Sequence, residues 1–258
     1  MPALPTTQPG ARFASARQAG PLYATAIEAY LRCPRQYAYA HIYRFTPAAD
    51  GYQLFWQATQ KTIEVLHKRC AEGKGDRVPT QQEIQELYTK HWQELGGHNS
   101  HFAALYEAHG HEIVESIRRQ VIAQQDTQWN MRQGLDVNVE GKSVRVMVDR
   151  VESSTQDAPV KFVRARFGRS KDKPSADLRE LFYTLAYRQH YGGQPEEIHS
   201  HNMSTGETVP LKLTSRKEQS LYEEIKRGIA GLERMDYPAR PDDLFRCASC
   251  PFYFICPA

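Results

Sequence analysis

Leu135-Asp136-Val137-Asn138-Val139-Glu140, a turn at Gly141-Lys142, and then Val144-Arg145-Val146-Met147-Val148-Asp149-Arg150-Val151 form the stretch whose reading decides the fold. Apolar residues stand at every second position on both sides of the turn, the period of two half-buried strands joined as a hairpin. Upstream the period changes to that of a helix: Ile84, Leu87, Trp92 and Leu95, then Ile113, Ile117 and Val121, with breaks expected at Gly96-Gly97 and near Gly110. Downstream the pattern predicts a third strand over 160–167 and a helix over about 175–191, with Leu178, Leu181, Phe182, Leu185 and Ala186 in its apolar stripe. A hairpin around Ser204-Thr205-Gly206-Glu207 and a last long helix over about 215–235 follow. Helices, three strands, a helix, strands and a helix spell an α/β fold with a mixed sheet covered by helices.

Working outward to the ends, residues 1–20 are rich in Pro, Ala, Gly and Thr without hydrophobic period, and are expected to be a disordered tail or a linker. Thr25 is placed to cap a helix bearing Ile27, Tyr30 and Leu31, which ends at Cys33-Pro34. Aromatic-rich helical sequence (Tyr37, Tyr39, Tyr43, Phe45) leads into another helix through Phe55, Ile63 and Leu66. With 258 residues, 40% of them hydrophobic, the chain can bury one substantial core. No run approaches the ~18 apolar residues of a membrane span and no secretory leader is visible, so a cytoplasmic protein without membrane contact is expected. A net charge of +3 permits a nucleic-acid partner without demanding one, so the distribution of charge carries the argument.

Five cysteines, an odd number at metal-ligand spacings, fit a reducing compartment, with Cys70 left over as a buried or inert thiol. Cys247-Ala248-Ser249-Cys250 offers two thiols from one tight turn, and Cys256 returns to the same place after the chain bends back. Cys33 can supply a fourth ligand if the two ends of the domain meet, so that a metal would staple them together. Four thiolates suit zinc and an iron–sulfur cluster alike, and spacing does not separate the two. Unmetallated, three clustered thiols would be reactive.

Five pieces in this order, Ala24-Thr25-Ala26-Ile27-Glu28-Ala29-Tyr30-Leu31-Arg32-Cys33-Pro34, Val148-Asp149-Arg150-Val151, the helix bearing Tyr183, Ser204-Thr205-Gly206-Glu207 and the terminal cysteines, carry a resemblance over roughly 22–258. The chain resembles the PD-(D/E)XK nuclease superfamily, in the iron–sulfur branch that holds AddB and RecB-like nuclease domains, CRISPR-adaptation exonucleases and nuclease domains fused to UvrD-type helicases. The resemblance implies a PD-(D/E)XK (restriction-endonuclease-like) domain over 21–258 with a helical insertion at about 80–130 and a nuclease-like core at about 135–240. It also implies a [4Fe-4S] cluster on Cys33, Cys247, Cys250 and Cys256, with Zn2+ as the alternative. Catalysis in that family needs a divalent metal such as Mg2+, held by an Asp on one strand and an Asp or Glu on the next, with a Lys two residues on.

Asp149 matches the first carboxylate. Where active members read something like Asp-Tyr-Lys-Thr-Gly, this chain reads Arg164-Ala165-Arg166-Phe167-Gly168. The usual Gln four residues before Tyr183 is Arg179, and the position that carries a metal-binding His in many members falls on Lys61, with His67 two turns off. Asp149 and Tyr183 are left as vestiges, Mg2+ is not expected to bind, and the enzymatic reading leans to no. Glu152 and Glu180 are the remaining acids that could serve an active, metal-dependent nuclease.

Strand alternation sets Phe162, Arg164 and Arg166 on one face and Val163, Ala165 and Phe167 on the other. The apolar set should pack on helices, and the two arginines should enter the cleft, pair with Asp149 and take the cation's place; on an edge strand they would instead face solvent. Lys161, Arg164, Arg166, Arg169, Lys171 and Lys173, opposed only by Asp172, form a basic run that could grip phosphates or be a solvated loop. His98, His101, His109 and His111 lack ligand spacing and read as loop histidines, and His199 and His201 share a strand face. The sequence thus points to a degenerate nuclease-fold module that binds DNA or acts as a scaffold in DNA repair beside a UvrD-type helicase. A metal-stapled module that binds only protein is a further alternative.

Overall fold

The structure, a computed structural model, describes residues 22–72, 78–123, 127–153, 160–166, 177–192 and 198–256. The tail expected at 1–20, Phe167, and Arg169, Lys171 and Lys173 of the basic run lie outside the described residues. The chain divides into two compact units, one made of 1–47, 136–146 and 218–258, the other of 48–135 and 147–217.

In the first unit a short strand β1 (Leu22–Tyr23) pairs in parallel with the start of β3 (Lys142–Ser153), Leu22 opposite Val144 and Tyr23 opposite Arg145. That pairing feeds straight into α1 (Ala24–Arg32), so the helix opens one residue before Thr25, capped by extended Tyr23 with no side-chain bond. The strand, not a threonine hydroxyl, sets the first turn. Helix α2 (Pro34–Tyr37) follows, with Pro34 in its first turn, where the lost N–H costs nothing. A π turn over Ala38–Ile42 continues it. Ahead of β3 runs β2 (Gln128–Val139), seven residues longer at its start than the alternation from Leu135 indicates. The loop between them is Glu140-Gly141, one position earlier than the expected Gly141-Lys142. Both of its residues have positive φ (52° and 74°), the geometry that matches the twist of a two-residue hairpin.

Further along the chain runs a long helix, α7 (Ser215–Arg234), which meets α1 through two glycines. A Cβ on Gly228 would sit 2.8 Å from Ile27 Cγ2, and one on Gly231 only 2.1 Å from Tyr30 Oη. The Tyr30 hydroxyl donates to the Asp236 carbonyl at 2.7 Å, so it has little room to retreat.

In the second unit α3 (Gly51–Glu72), α4 (Gln81–Glu94) and α5 (Ala103–Ala123) enclose a core that includes Phe55, Leu66, Ile84, Tyr88, Trp92 and Ile117. Helix α4 starts with a reciprocal capping box: Thr80 Oγ1 accepts from the Glu83 N–H (3.2 Å) and the Thr80 N–H donates to Glu83 Oε2 (2.7 Å). Left-handed Gly96 (φ 80°) ends it, as the Gly96-Gly97 break implies. Gly110 is no break: α5 runs through it because a Cβ there would lie 2.0 Å from the Tyr88 ring. The glycine marks a close helix crossing, where spacing alone suggests an interruption.

Still within the second unit, the far half of β3 pairs antiparallel with β4 (Lys161–Arg166), which lies parallel to β5 (Ile198–Asn202); β6 (Thr208–Pro210) closes antiparallel on β5. The sheet is therefore mixed. Between β4 and β5 the chain passes through α6 (Leu178–Tyr191), whose Tyr183, Tyr187 and Tyr191 meet Phe162 edge-on at centroid distances of 6.2, 5.2 and 5.6 Å. Val163 and Ala165 take the opposite face, Val163 buried and Ala165 against the helical core, as strand alternation requires.

Gly231→Ala tests the α1–α7 contact. The new methyl displaces the Tyr30 hydroxyl, and overpacking of about 1–3 kcal/mol outweighs the gain of ~1 kcal/mol expected for Ala over Gly in a helix. The urea midpoint should fall, and a midpoint equal to or above that of the parent chain would show that the two helices do not pack through this glycine.

Candidate functional site

Strands β3 and β4 stay in register only from Glu152–Lys161 to Arg150–Val163, and beyond that pair the ladder is taken over by side chains. The Asp149 carboxylate accepts the Ala165 N–H through Oδ2 at 3.0 Å. The Asp149 N–H donates to the Tyr183 phenol at 2.8 Å, and that phenol donates to the Met147 carbonyl at 3.3 Å. Asp149 and Tyr183 are thus both bonded to backbone. Tyr183 is fully buried in the second unit, and burial pushes its phenol well above the usual range. Burial likewise raises the Asp149 carboxyl, against the pull of Arg179, the Ala165 N–H, Arg164 and Tyr183.

Arg164 acts on the Asp149 carboxyl from nearby, but both it and Arg166 bond to acids at the start of α6. Arg164 donates to Asp177 Oδ1 at 2.7 Å and to Glu180 Oε1, and Arg166 donates to the same Glu180 oxygen at 2.5 Å. Glu180 is only 1% exposed. Its other oxygen accepts the Asp177 N–H at 2.6 Å, while Asp177 Oδ1 accepts the Arg179 N–H at 2.9 Å, the capping box that opens α6. Arg164 thus acts on Asp149 through its field alone, a correction to the expected Arg164–Asp149 pair. The signal for this knot was in the sequence as Asp177-Leu178-Arg179-Glu180, a box of cap and third-residue acid that also puts a carboxylate opposite β4.

The two other acids singled out, Glu152 and Glu180, are both paired with arginines. Glu152 pairs with Arg150 Nη2 at 2.7 Å and Glu180 is held by two arginines. Among the described residues no group of three or more His, Cys, Asp or Glu could hold a metal ion. Lys61 points away from Asp149 into an exposed pair with Glu94 (2.8 Å), and it is the preceding residue, Gln60, that lines the space beside Asp149. Of the basic run, Lys161 is exposed, whereas Arg164 and Arg166 are half-buried and both pair with Glu180.

Beside Asp149 lies a cavity of about 160 Å³. Trp56, Ile63, Ile117, Met131 and Met203 give it apolar walls, and Gln60, Asp149, Arg150, Arg179 and His201 give it polar ones. Neighbours on a strand point to opposite faces, yet Asp149 and Arg150 both reach this space, because the two strands part there. Arg150 is buried, lies 4.4 Å over the Trp129 ring and pairs with Glu152. His201 bonds Thr208 Oγ1 through Nδ1 at 2.7 Å. Burial, then Arg150, push His201 down to about 4 and His67, stacked near Trp129, down to about 3.

Cys33, Cys247, Cys250 and Cys256 belong to the first unit. Cys33 sits between α1 and α2, and Cys247, Cys250 and Cys256 lie in and after two short 3-10 turns, Leu244–Ser249 and Tyr253–Ile255. Backbone bonds join the two segments: Arg35 N–H to Pro238 O (3.1 Å) and Asp242 N–H to Arg32 O (2.9 Å), with the Tyr39 phenol donating to Ile255 O (3.1 Å). Burial, then the thiols of Cys33, Cys250 and Cys256 and Asp243, raise the Cys247 thiol, so the four sulfurs share one neighbourhood. All four are half-buried. As a donor set they fit a thiolate-bound centre, although as arranged they do not converge into a metal-holding group. Cys70, half-buried on α3, is raised by burial, as an inert thiol would be.

The two depressed histidines set a pH dependence. A His whose folded pKa lies below its unfolded value leaves the unfolded state binding more protons in between, so stability rises with pH across that interval. From pH 6.5 down through about 4 the protein should lose stability, and His201→Gln should flatten the slope of urea midpoint against pH. An unchanged slope would count against a buried, neutral His201.

Among the described residues no helix is long and apolar enough to cross a membrane. No curated protein matches the chain. The crystal structure of SSO0001 is similar over 95% of this chain and 90% of that chain, with 12% identity and a TM-score of 0.44, too loose a likeness to argue from. The model of the PD-(D/E)XK nuclease superfamily matches residues 22–257, which take in every element of both units from β1 to the last cysteine. The chain belongs to the PD-(D/E)XK nuclease superfamily.

Proposed function

We propose that this chain is a PD-(D/E)XK module that binds DNA without cutting it, carries a [4Fe-4S] cluster, or zinc in its place, on Cys33, Cys247, Cys250 and Cys256, and works beside a UvrD-type helicase in DNA repair. The observation that carries the first part is the Arg164–Glu180–Arg166 knot. At the positions where active members place a carboxylate and a lysine, the chain has two guanidiniums, and they neutralise the buried acid nearest to them. Asp149 remains, but with two cations acting on it (Arg164 on β4 and Arg179 on α6) and its Oδ2 on the Ala165 N–H, it offers Mg2+ one compromised ligand. Superfamily membership favours nucleic acid as the partner, and exposed Lys161 together with Arg169, Lys171 and Lys173 is the basic stretch left to meet phosphates. The cluster supplies a cross-link between segments more than two hundred residues apart, so it acts on folding and not on chemistry.

Purified protein should leave labelled single- and double-stranded DNA intact in Mg2+ or Mn2+ while shifting it in a manner that weakens steeply with salt. Replacing Lys161, Arg169, Lys171 and Lys173 together by Ala should lower the slope of log affinity against log salt by about 3–4. Metal-dependent cleavage that disappears in Asp149→Ala would overturn the reading and favour the active nuclease. A chain that binds no DNA at all would leave the protein-binding module.

For the cluster, the wild-type chain purified without oxygen should be brown and contain iron and sulfide, and Cys250→Ser should be colourless with a lower thermal midpoint. Equal metal content and stability in the two proteins would show that Cys250 is not a ligand.

A further inference from the structure

The cavity beside Asp149 has the size of one six-membered ring: a hydrophobic cavity of about 150 Å³ takes up benzene, and this one measures about 160 Å³. Its chemistry excludes a bare hydrocarbon. His201 is 2% exposed and its Nδ1 is taken by Thr208, while its Nε2 has no hydrogen-bond partner. Arg150 Nε, on the same wall, also has none. A benzene-like occupant would leave both atoms unpaired in a dry site, which costs free energy that a polar edge would recover. Water answers the need poorly. The volume equals about five waters at ~30 Å³ each, and each wants two to four polar partners, whereas Trp56, Met131 and Met203 line much of the surface. The occupant that fits is a flat ring with apolar faces for the indole and the two thioethers, and a hydrogen-bonding edge for His201, Gln60 and Arg150. Held neutral, His201 Nε2 donates or accepts according to how the Thr208 hydroxyl turns, so it can meet a carbonyl or a ring nitrogen.

We infer that this cavity receives one unstacked pyrimidine base, an inference that rests on the DNA-binding reading and makes single-stranded DNA its preferred form. A base inside a duplex must be unstacked and unpaired before it can enter, at a cost of a few kcal/mol that a single strand largely avoids. The benzene-sized space matches a single-ring base more closely than a two-ring purine.

The test uses the full chain and an oligothymidylate carrying one 5-fluorodeoxyuridine, observed by fluorine NMR, beside free 5-fluorodeoxyuridine and unlabelled oligoadenylate and oligothymidylate as competitors. A bound fluorine signal well removed from the free position is expected, and oligothymidylate should compete about tenfold better than oligoadenylate. Ala165→Leu, which fills the cavity, should return the signal to its free position. Gln60→Ala, on a half-buried helical site that tolerates the change, should weaken the shifted state about fivefold. A strand that binds with the expected salt dependence but keeps its fluorine at the free position overturns the base pocket and leaves DNA binding intact. Free nucleoside giving the shifted signal while no strand binds supports the pocket, assigns it to a free pyrimidine nucleoside and overturns the DNA reading. No shift and no binding with any of these probes overturns both.

Discussion

Glu180 is a carboxylate removed from water at the start of a helix, and most of what is distinctive in the second unit follows from the need to neutralise it. One oxygen closes the capping box on Asp177; the other takes a guanidinium from each of two alternate residues of β4. Burying an ionised acid is tolerable only when its lone pairs are filled, and removing one partner from such a group costs about 3–5 kcal/mol. The pairing therefore fixes the start of α6 against β4. That in turn brings Tyr183 one turn later under β3, where its phenol bonds the backbone on either side of Val148. The placement of Asp149 is the end of this chain of constraints.

Much of this architecture was legible in the sequence. The α6 stripe and the closing helix appear where the pattern puts them, because burial on one face writes a clean period, whereas the first strand of the hairpin already begins at Gln128, ahead of Leu135. The errors come from residues whose cause is a distant neighbour. Gly110 reads as a break and is a contact with Tyr88; Thr25 reads as a cap and is overruled by the pairing of β1 with β3. Periodicity set the faces of β4 correctly but could not name the partners of its arginines, since Asp149 and Glu180 are equally plausible acids on neighbouring elements until their distances are known. The polar wall of Arg150 and His201 was invisible for the same reason. Its two members are far apart in the chain and meet only across β4.

The first unit is organised differently. Its segments come from both ends of the chain, and small residues and hydrogen bonds hold them: Gly228 and Gly231 under α1, the Asp236 and Pro238 carbonyls accepting from Tyr30 and Arg35, and the Asp242 N–H donating to the Arg32 carbonyl. Four half-buried thiols occupy this junction. The junction thus has its own hydrogen-bonded frame before any metal is considered, and a bound centre would reinforce a closure that the polypeptide already makes.

The side-chain bond from Asp149 to the Ala165 amide gives the aspartate a task of its own within the sheet. Its carboxylate works as a splice, completing a hydrogen-bond ladder that the backbone leaves unfinished where two strands separate. Losing it would open a seam in the sheet. An aspartate at this position therefore has an architectural role independent of any reaction, and its presence in a sequence does not by itself report whether a chain cuts.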